Sequence, residues 1–364
     1  MTIIFSALTF LLTAATAIPI LRHEGWWVRG FDFPRMQFAV LALVLLVLEF
    51  FMLPLSDAWT WPLILITALC LAYQAWWVLP YTAVFPVEVH RARQKDQEKS
   101  IKIMTANVLT PNRNAASLIS LVKAQRPDVL VTLESDSWWE EQLKELETIF
   151  VYTIKCPLDN LYGMHVYSKL PLSNESIEFL VEEDVPSIHT EVQLRCGQIV
   201  RMHFLHPAPP SPTENEESSE RDAELLVVAK SVAEAVRPVI VTGDLNDVAW
   251  SHTTRLFRKI SGLLDPRIGR GMFNTFHADY FFLRWPLDHL FHSDHFSLES
   301  IKRLPSFGSD HFALVTELYF EPGRAPEQEG IESTADDRAH ATGKTRSEGV
   351  KLSDVPVPAQ DDSN

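Results

Sequence analysis

Asn107, Glu134, His206, Asp244, Asn246, Asp288, Asp310 and His311 stand at the ends of expected strands, and their types suit one chemistry. Carboxylates and amides with no cysteine among them match a hard cation such as Mg²⁺ or Mn²⁺. The two imidazoles suit a developing phosphate charge or a leaving group that needs a proton. Together these residues point to metal-assisted hydrolysis of a phosphate ester, with water as the nucleophile. Plainer readings exist for each. Asp310-His311 is a pair that occurs by chance in loops, and His206 before Pro207 suits a surface turn. Asp244 and Asn246 suit an Asx turn that caps a helix, and Glu134 suits an exposed strand-end charge. What favours the chemical reading is the shared placement after strands, which gathers the side chains at one rim of a sheet. His165 and His189 are assigned to packing or surface, and Asp247 to a helix start.

The elements that must position them follow from periodicity. Val239, Ile240 and Val241 read as a fully buried strand, and Gly243 lets the chain turn so that Asp244 and Asn246 enter a cleft. Upstream, residues 101–107 alternate as a strand, 114–125 form an amphipathic helix closed by Pro127, and 129–133 lead to Glu134. Residues 138–149 read as a helix, with short strands near 151–154, 164–167, 177–180 and 188–194. Strand 200–205 delivers His206; 207–220 reads as a mobile loop, 222–236 and 253–259 as helices. Strand 286–291 carries Asp288, and 312–320 follows Ser309-Asp310-His311.

With these motifs in order, the sequence resembles the endonuclease/exonuclease/phosphatase (DNase I-like) family, in a membrane-anchored form of bacterial type. The resemblance spans about 101–320. It rests on Thr105-Ala106-Asn107-Val108, Leu133-Glu134, Ser168-Lys169-Leu170-Pro171, Leu205-His206-Pro207, Gly243-Asp244-Leu245-Asn246-Asp247, Leu287-Asp288-His289 and Ser309-Asp310-His311-Phe312. The resemblance implies a four-layer α/β sandwich of two mixed sheets with helices outside. It also implies a divalent-metal site held by Glu134, Asn107 and Asp310. Asp244 would then orient or deprotonate the attacking water and Asn246 would hold the phosphoryl group. His311, oriented by Asp288, would contact a phosphate oxygen, and His206 would stabilise the transition state or leaving oxygen. His289 stands where relatives often carry an aromatic residue, and it should point to the opposite sheet face.

Ahead of this region, residues 3–21, 36–55 and 58–80 are apolar stretches near the ~20 residues that cross a bilayer as a helix. A signal peptide is the alternative for the first, because Ala15-Thr16-Ala17 resembles a cleavage site, but a basic leader is missing. Tryptophans cluster at the segment ends, as interface belts do. Arg22, Arg29 and Arg35 in the first loop, and Arg91, Arg93, Lys95 and Lys99 after the third stretch, place both on the cytoplasmic side of the plasma (inner) membrane. Glu49 is an intramembrane carboxylate without an evident basic partner, and the reading favoured for it is a protonated, non-functional residue. The expected division is 1–85 transmembrane, 86–100 charged linker, 101–321 catalytic and 322–364 disordered tail.

A net charge of -15 argues against a general electrostatic grip on nucleic acid. The expected partners are the bilayer and a phosphoester substrate, lipid or nucleic acid, with no obligate protein partner evident. A nuclease and a catalytically silent tethered module are the alternatives to a phosphodiesterase or phosphatase. Cys70, Cys156 and Cys196 form no motif, and a pairing of Cys156 with Cys196 has no support.

Overall fold

Strands buried on both faces need apolar residues at successive positions, as 129–131 and 239–241 supply. The computed structural model of the chain describes residues 1–356 except Gln94, Glu234 and Val236. Its strands are β1 (Ser100–Asn107), β2 (Val129–Leu133), β3 (Tyr152–Cys156), β4 (Met164–Ser168), β5 (Leu172–Glu178) and β6 (Ser187–Gln193). They continue as β7 (Ile199–Leu205), β8 (Val239–Asp244), β9 (Asp288–His292), β10 (Phe296–Arg303) and β11 (Leu314–Phe320). The helices are α1 (Thr2–Ala17), α2 (Trp26–Arg29), α3 (Arg35–Met52), α4 (Thr60–Val78), α5 (Ala115–Gln125) and α6 (Ser137–Leu143). α7 (Ser219–Ala233), α8 (His252–Ser261) and α9 (Ala335–Ser347) complete the set.

Two mixed sheets result, one ordered β10-β11-β1-β2-β4-β3 and the other β5-β6-β7-β8-β9. Alternation along β1 sends Ile101 and Ile103 into the core between the sheets and Met104 and Ala106 outward against α5 and α6. Likewise Ile240 of β8 points inward, while Val239 and Val241 meet α7 and α8. Each such buried side chain contributes roughly 1.5–3 kcal/mol. The layers are therefore helix, sheet, sheet, helix, the four-layer α/β sandwich expected. Thr105 of β1 and Thr242 of β8 face each other between the sheets, their hydroxyls 2.8 Å apart.

The structure adds to the sequence reading at β10 and in the linker, and corrects it in the tail. β10 is a strand that periodicity did not reveal, because a bulge between Leu298 and Ser300 breaks its alternation. The charged linker packs on the sandwich: Val89 joins the inter-sheet core, Ala92 N–H donates to Leu298 O at 3.0 Å, and Glu88 is ion-paired with the buried Arg258. The polar tail is folded as far as residue 356. α9 starts in a Thr334/Asp337 capping box and packs Ala341 on the α7/α8 layer, which Val350 and Val355 also cover. Charge supplies what apolar area does not. Lys344 Nζ pairs with buried Asp222 at 2.7 Å, and Lys259 Nζ with Asp337 at 2.9 Å. Residues 357–364 of that tail, and Val236 at the expected end of α7, lie outside the described residues.

Thr2–Leu21, Arg35–Met52 and Thr60–Tyr81 are each long and apolar enough to cross a membrane. Glu49 is buried among them and accepts hydrogen bonds from Thr9 Oγ1 (2.6 Å) and Thr67 Oγ1 (3.0 Å), so hydroxyls take the place of a basic partner. The loop between α1 and α3 is docked on the sandwich. Trp26 N–H donates to Glu216 O at 3.0 Å, Trp250 Nε1 donates to Asp32 O at 2.9 Å, and Arg29 and Arg35 are buried around Asp32. Cys156 and Cys196 are free thiols.

Candidate active site

The parallel pairs β1/β2 and β7/β8 end at one rim. Asn107 ends β1, Glu134 follows β2, His206 follows β7 and Asp244 ends β8. Asp288 opens β9 opposite Asp244, and Asp310 and His311 precede β11. Glu134, His206, Asp244, Asn246, Asp310 and His311 line a cleft of about 250 Å³, with Asn107 and Asp288 buried beside them. Ligand clefts at the carboxyl ends of strands are the usual outcome of this topology.

Close approach makes the rim possible. A Cβ on Gly243, at φ +153°, would lie 1.8 Å from Leu205 O, so only glycine lets β8 pass β7 at this point. Glu134 and Asn246 both adopt left-handed backbone, φ 60° and 50°. Such strain costs roughly 1–3 kcal/mol per residue and concentrates at functional sites. Asn246 N–H donates to Asp244 Oδ1 at 2.9 Å, the Asx turn that sequence allowed, and its amide Nδ2 donates to Pro207 O at 3.0 Å.

His311 is held between two carboxylates, with Nδ1 2.8 Å from Asp288 Oδ2 and Nε2 3.4 Å from Asp244 Oδ2. Burial alone would depress this imidazole, but Asp288 and Asp244 outweigh it and raise its pKa to about 10. His311 is thus a buried imidazolium. Asp244 is also desolvated, yet His311, His206 and its hydrogen bonds keep its pKa below the ordinary value. Asp288 is pushed up, chiefly by burial. Burial outweighs the Asp244 charge and takes His206, whose Nδ1 has no hydrogen-bond partner among the described residues, down to about 4, so it is neutral at pH 7.

Glu134 Oε1 accepts a 2.7 Å hydrogen bond from Asn107 Nδ2, while Oε2 is buried without a partner among the described residues. Burial first, with Asp310 and Asp244 adding repulsion, raises Glu134 to about 7. An orphaned carboxylate oxygen among further oxygen donors fits a hard divalent cation. Asn107 differs from the expected ligand role. Its Nδ2 faces Glu134 and Asp244 (3.2 Å), and its Oδ1 accepts from Leu109 N–H at 3.0 Å, so it orients two carboxylates instead. Asp244, Asp288 and His311 bring ligand atoms within 4.8 Å of one another, but both ring nitrogens of His311 face carboxylates.

Several wall residues carried no sequence signal. Tyr162 stands beside His206, ring centroids 5.4 Å apart, and its hydroxyl bonds Glu214. Glu214, Pro209 and Pro210 come from the loop expected to be mobile, which is tied down by bridges Pro210 to Asn215 and Gly25 to Glu217. Phe33 reaches the cleft from the loop between α1 and α3, and Phe276 from the chain before β9. Asp247 is structural, accepting from Val248 N–H and Ser251 Oγ. His289 points away, with Nε2 2.9 Å from Asp247 O and Nδ1 2.7 Å from Arg267 Nη2.

A four-layer sandwich with this acid and imidazole cleft defines a DNase I-like protein. The profile described as "Endonuclease/Exonuclease/phosphatase family" matches residues 104–311, and the chain belongs to that family. Its structure is similar to an endonuclease/exonuclease/phosphatase from Beutenbergia cavernae, at 17% identity over 61% of this chain and 72% of that one, TM-score 0.51. It is also similar to the human Nocturnin catalytic domain with bound sulfate, at 17% identity over 62% and 94%, TM-score 0.50. A humanized D. rerio TDP2 matches at 17% identity over 60% and 99%, TM-score 0.50. These likenesses concern the fold. No curated protein sequence matches the chain.

Proposed function

We propose that the protein is a membrane-anchored phosphoester hydrolase of phosphodiesterase or phosphatase type that activates water and depends on Mg²⁺ or Mn²⁺. The observation that carries this reading is the pairing, in one cleft, of the Asp288–His311–Asp244 chain with the unpartnered Oε2 of Glu134. A silent binding module has no use for a buried imidazolium held between two carboxylates at a cleft.

Glu134 and Asp310 would hold the cation, and Asn107 keeps the Glu134 carboxylate in place. When bound, the cation supplies Lewis-acid polarisation of a phosphoryl oxygen. Asp244, kept ionised by His311, accepts the proton of the water whose oxygen attacks phosphorus. As that bond forms, the bond from phosphorus to the leaving oxygen breaks, and a diester yields a monoester and an alcohol. His311 offsets the growing phosphoryl charge, and Asp288 fixes its ring. His206 acts as a neutral hydrogen-bond donor to the leaving oxygen, which agrees with its depressed pKa. The second amide hydrogen of Asn246 is available to the phosphoryl group.

The three apolar spans and the net charge of -15 support a tethered enzyme over one that scans nucleic acid. Arg22, Arg91, Arg93, Lys95 and Lys99 support a cytoplasmic sandwich, whereas Arg29 and Arg35 are taken up by Asp32. The test is Mg²⁺-titrated hydrolysis of bis-p-nitrophenyl phosphate by the full chain in detergent. Rates that rise with Mg²⁺ and vanish with EDTA or in Glu134→Gln are expected. Equal rates with and without EDTA would overturn the metal assignment.

A further inference from the structure

Tyr280, Phe281, Phe282 and Leu283 are 57%, 73%, 80% and 48% exposed, a run of large apolar side chains presented to solvent. Contiguous apolar surface of this kind marks an interaction site. The loop that bears it is braced from below. Arg284 Nη2 donates to Ala278 O at 2.8 Å, and its guanidinium stacks on Phe281 (5.5 Å) and Phe312 (5.0 Å).

Its position relative to the helices identifies the occupant. Gln37 Nε2, on the first turn of α3, donates to Phe282 O at 2.8 Å. α3 has 18 residues. At 1.5 Å per residue it is roughly 27 Å long, slightly short of the ~30 Å hydrocarbon thickness. A spanning α3 therefore has no turn to spare, and its first turn lies at the bilayer boundary together with the loop docked on it. Trp26 and Trp27 of α2 are also exposed on this side of the helices, as interface aromatics are.

The same loop is coupled to the cleft. Ala278 N–H donates to Asp310 O at 2.6 Å, and Phe276, just before it, lines the cleft. Phe33, which precedes α3, lines the cleft on the same side, meeting edge-on at 5.6 Å the Trp285 ring on which Phe276 stacks at 6.3 Å. The mouth is thus walled by elements that adjoin the first turn of α3.

We propose that loop 279–284 inserts into the bilayer interface beside α3, and that the cleft takes phosphoesters whose alkyl tail stays in the membrane. The substrate class rests on the hydrolase reading; the bilayer contact does not. An ester with a tail keeps it among lipids and offers its phosphate to the cleft, whereas a soluble ester gains nothing from the loop.

The test uses the full chain in phosphatidylcholine nanodiscs with two esters that share the reacting bond, p-nitrophenyl methyl phosphate and p-nitrophenyl hexadecyl phosphate. Wild type is expected to prefer the hexadecyl ester, and Phe281→Ser/Phe282→Ser to lose about tenfold of that preference while its rate on the methyl ester stays. A tail preference unchanged in the double variant would overturn the substrate proposal. Separately, Phe282→Cys carrying an NBD dye, in a Cys156→Ser/Cys196→Ser background, should be quenched more by lipid-borne than by water-soluble nitroxide. The reverse order would overturn insertion and favour a protein partner for the loop. Hydrolysis of neither ester by wild type would overturn the hydrolase reading, and the quenching would still decide the bilayer contact.

Discussion

Gly243→Ala is the substitution for which the structure gives the most definite consequence. The added Cβ would stand 1.8 Å from Leu205 O, 2.9 Å from Leu205 C and 3.0 Å from Leu205 N, all backbone atoms of β7 that no rotamer change can move aside. Relief requires β7 and β8 to part by more than an ångström at the Leu205–Gly243 pair. Overpacking costs roughly 1–3 kcal/mol. Strained backbone at φ +153° and a weakened ladder bond add about 1 kcal/mol each, so about 3 kcal/mol or more is expected. For a domain of this size each kcal/mol lowers Tm by about 2–4 °C, giving a drop of about 6–12 °C. Because His206 and Asp244 flank the pair, activity should fall with it. The assay is thermal unfolding of the detergent-solubilised chain by near-UV circular dichroism. Two glycines calibrate it. Gly197 has φ +86° but open space, so Ala there should cost about 1 kcal/mol; Gly323 has neither constraint and should be neutral. A Gly243→Ala protein with the Tm of Gly323→Ala would refute the close approach of the two strands.

Acid should unfold the sandwich early. Burial depresses His165, His189 and His289 to about 3 and His292 to about 4, all from 6.5. The unfolded chain therefore takes up protons below pH 6.5 that the folded chain refuses, and stability present above 6.5 declines as pH falls toward the folded-state values. Each such histidine contributes up to ~1.4 kcal/mol per pH unit, so Tm should fall steeply from pH 6.5 to 5; a flat profile would contradict their burial. Glu134→Gln should make the metal-free protein more stable by about 1–3 kcal/mol, by removing a buried carboxylate charge that no cation offsets at Oε2, and abolish the Mg²⁺-induced rise in Tm. Arg258→Met should cost about 3–5 kcal/mol because Glu88 is left buried and unpaired, and Glu88→Leu added to it should restore part of the loss. Urea titration measures both, and additive losses would exclude the pairing.

Much of the rim was legible because it obeys a local rule. Runs such as Val239-Ile240-Val241 must be strands, and a polar residue directly after such a run has only the rim to occupy. All eight candidates meet there or just beneath it. Their division of labour was less legible, since the direction of the Asn107 amide is set by partners far away in sequence and the neutrality of His206 by its burial in the assembled fold. β10 was hidden by its bulge, and α9 by a composition that replaces apolar contact with Lys344–Asp222 and Lys259–Asp337 pairs. Phe33 and Tyr162 reach the cleft from segments with no local pattern, so only the assembled fold reveals them.

The proposed hydrolysis depends on proton transfer from the attacking water to Asp244, which His311 holds ionised. It is tested most directly by Asp244→Asn, an isosteric change that keeps the side-chain shape but removes the base. With Mg²⁺ saturating and folding verified by Tm, kcat on bis-p-nitrophenyl phosphate is expected to fall about 10²–10⁴-fold with little change in KM. An Asp244→Asn protein with wild-type kcat would contradict the account.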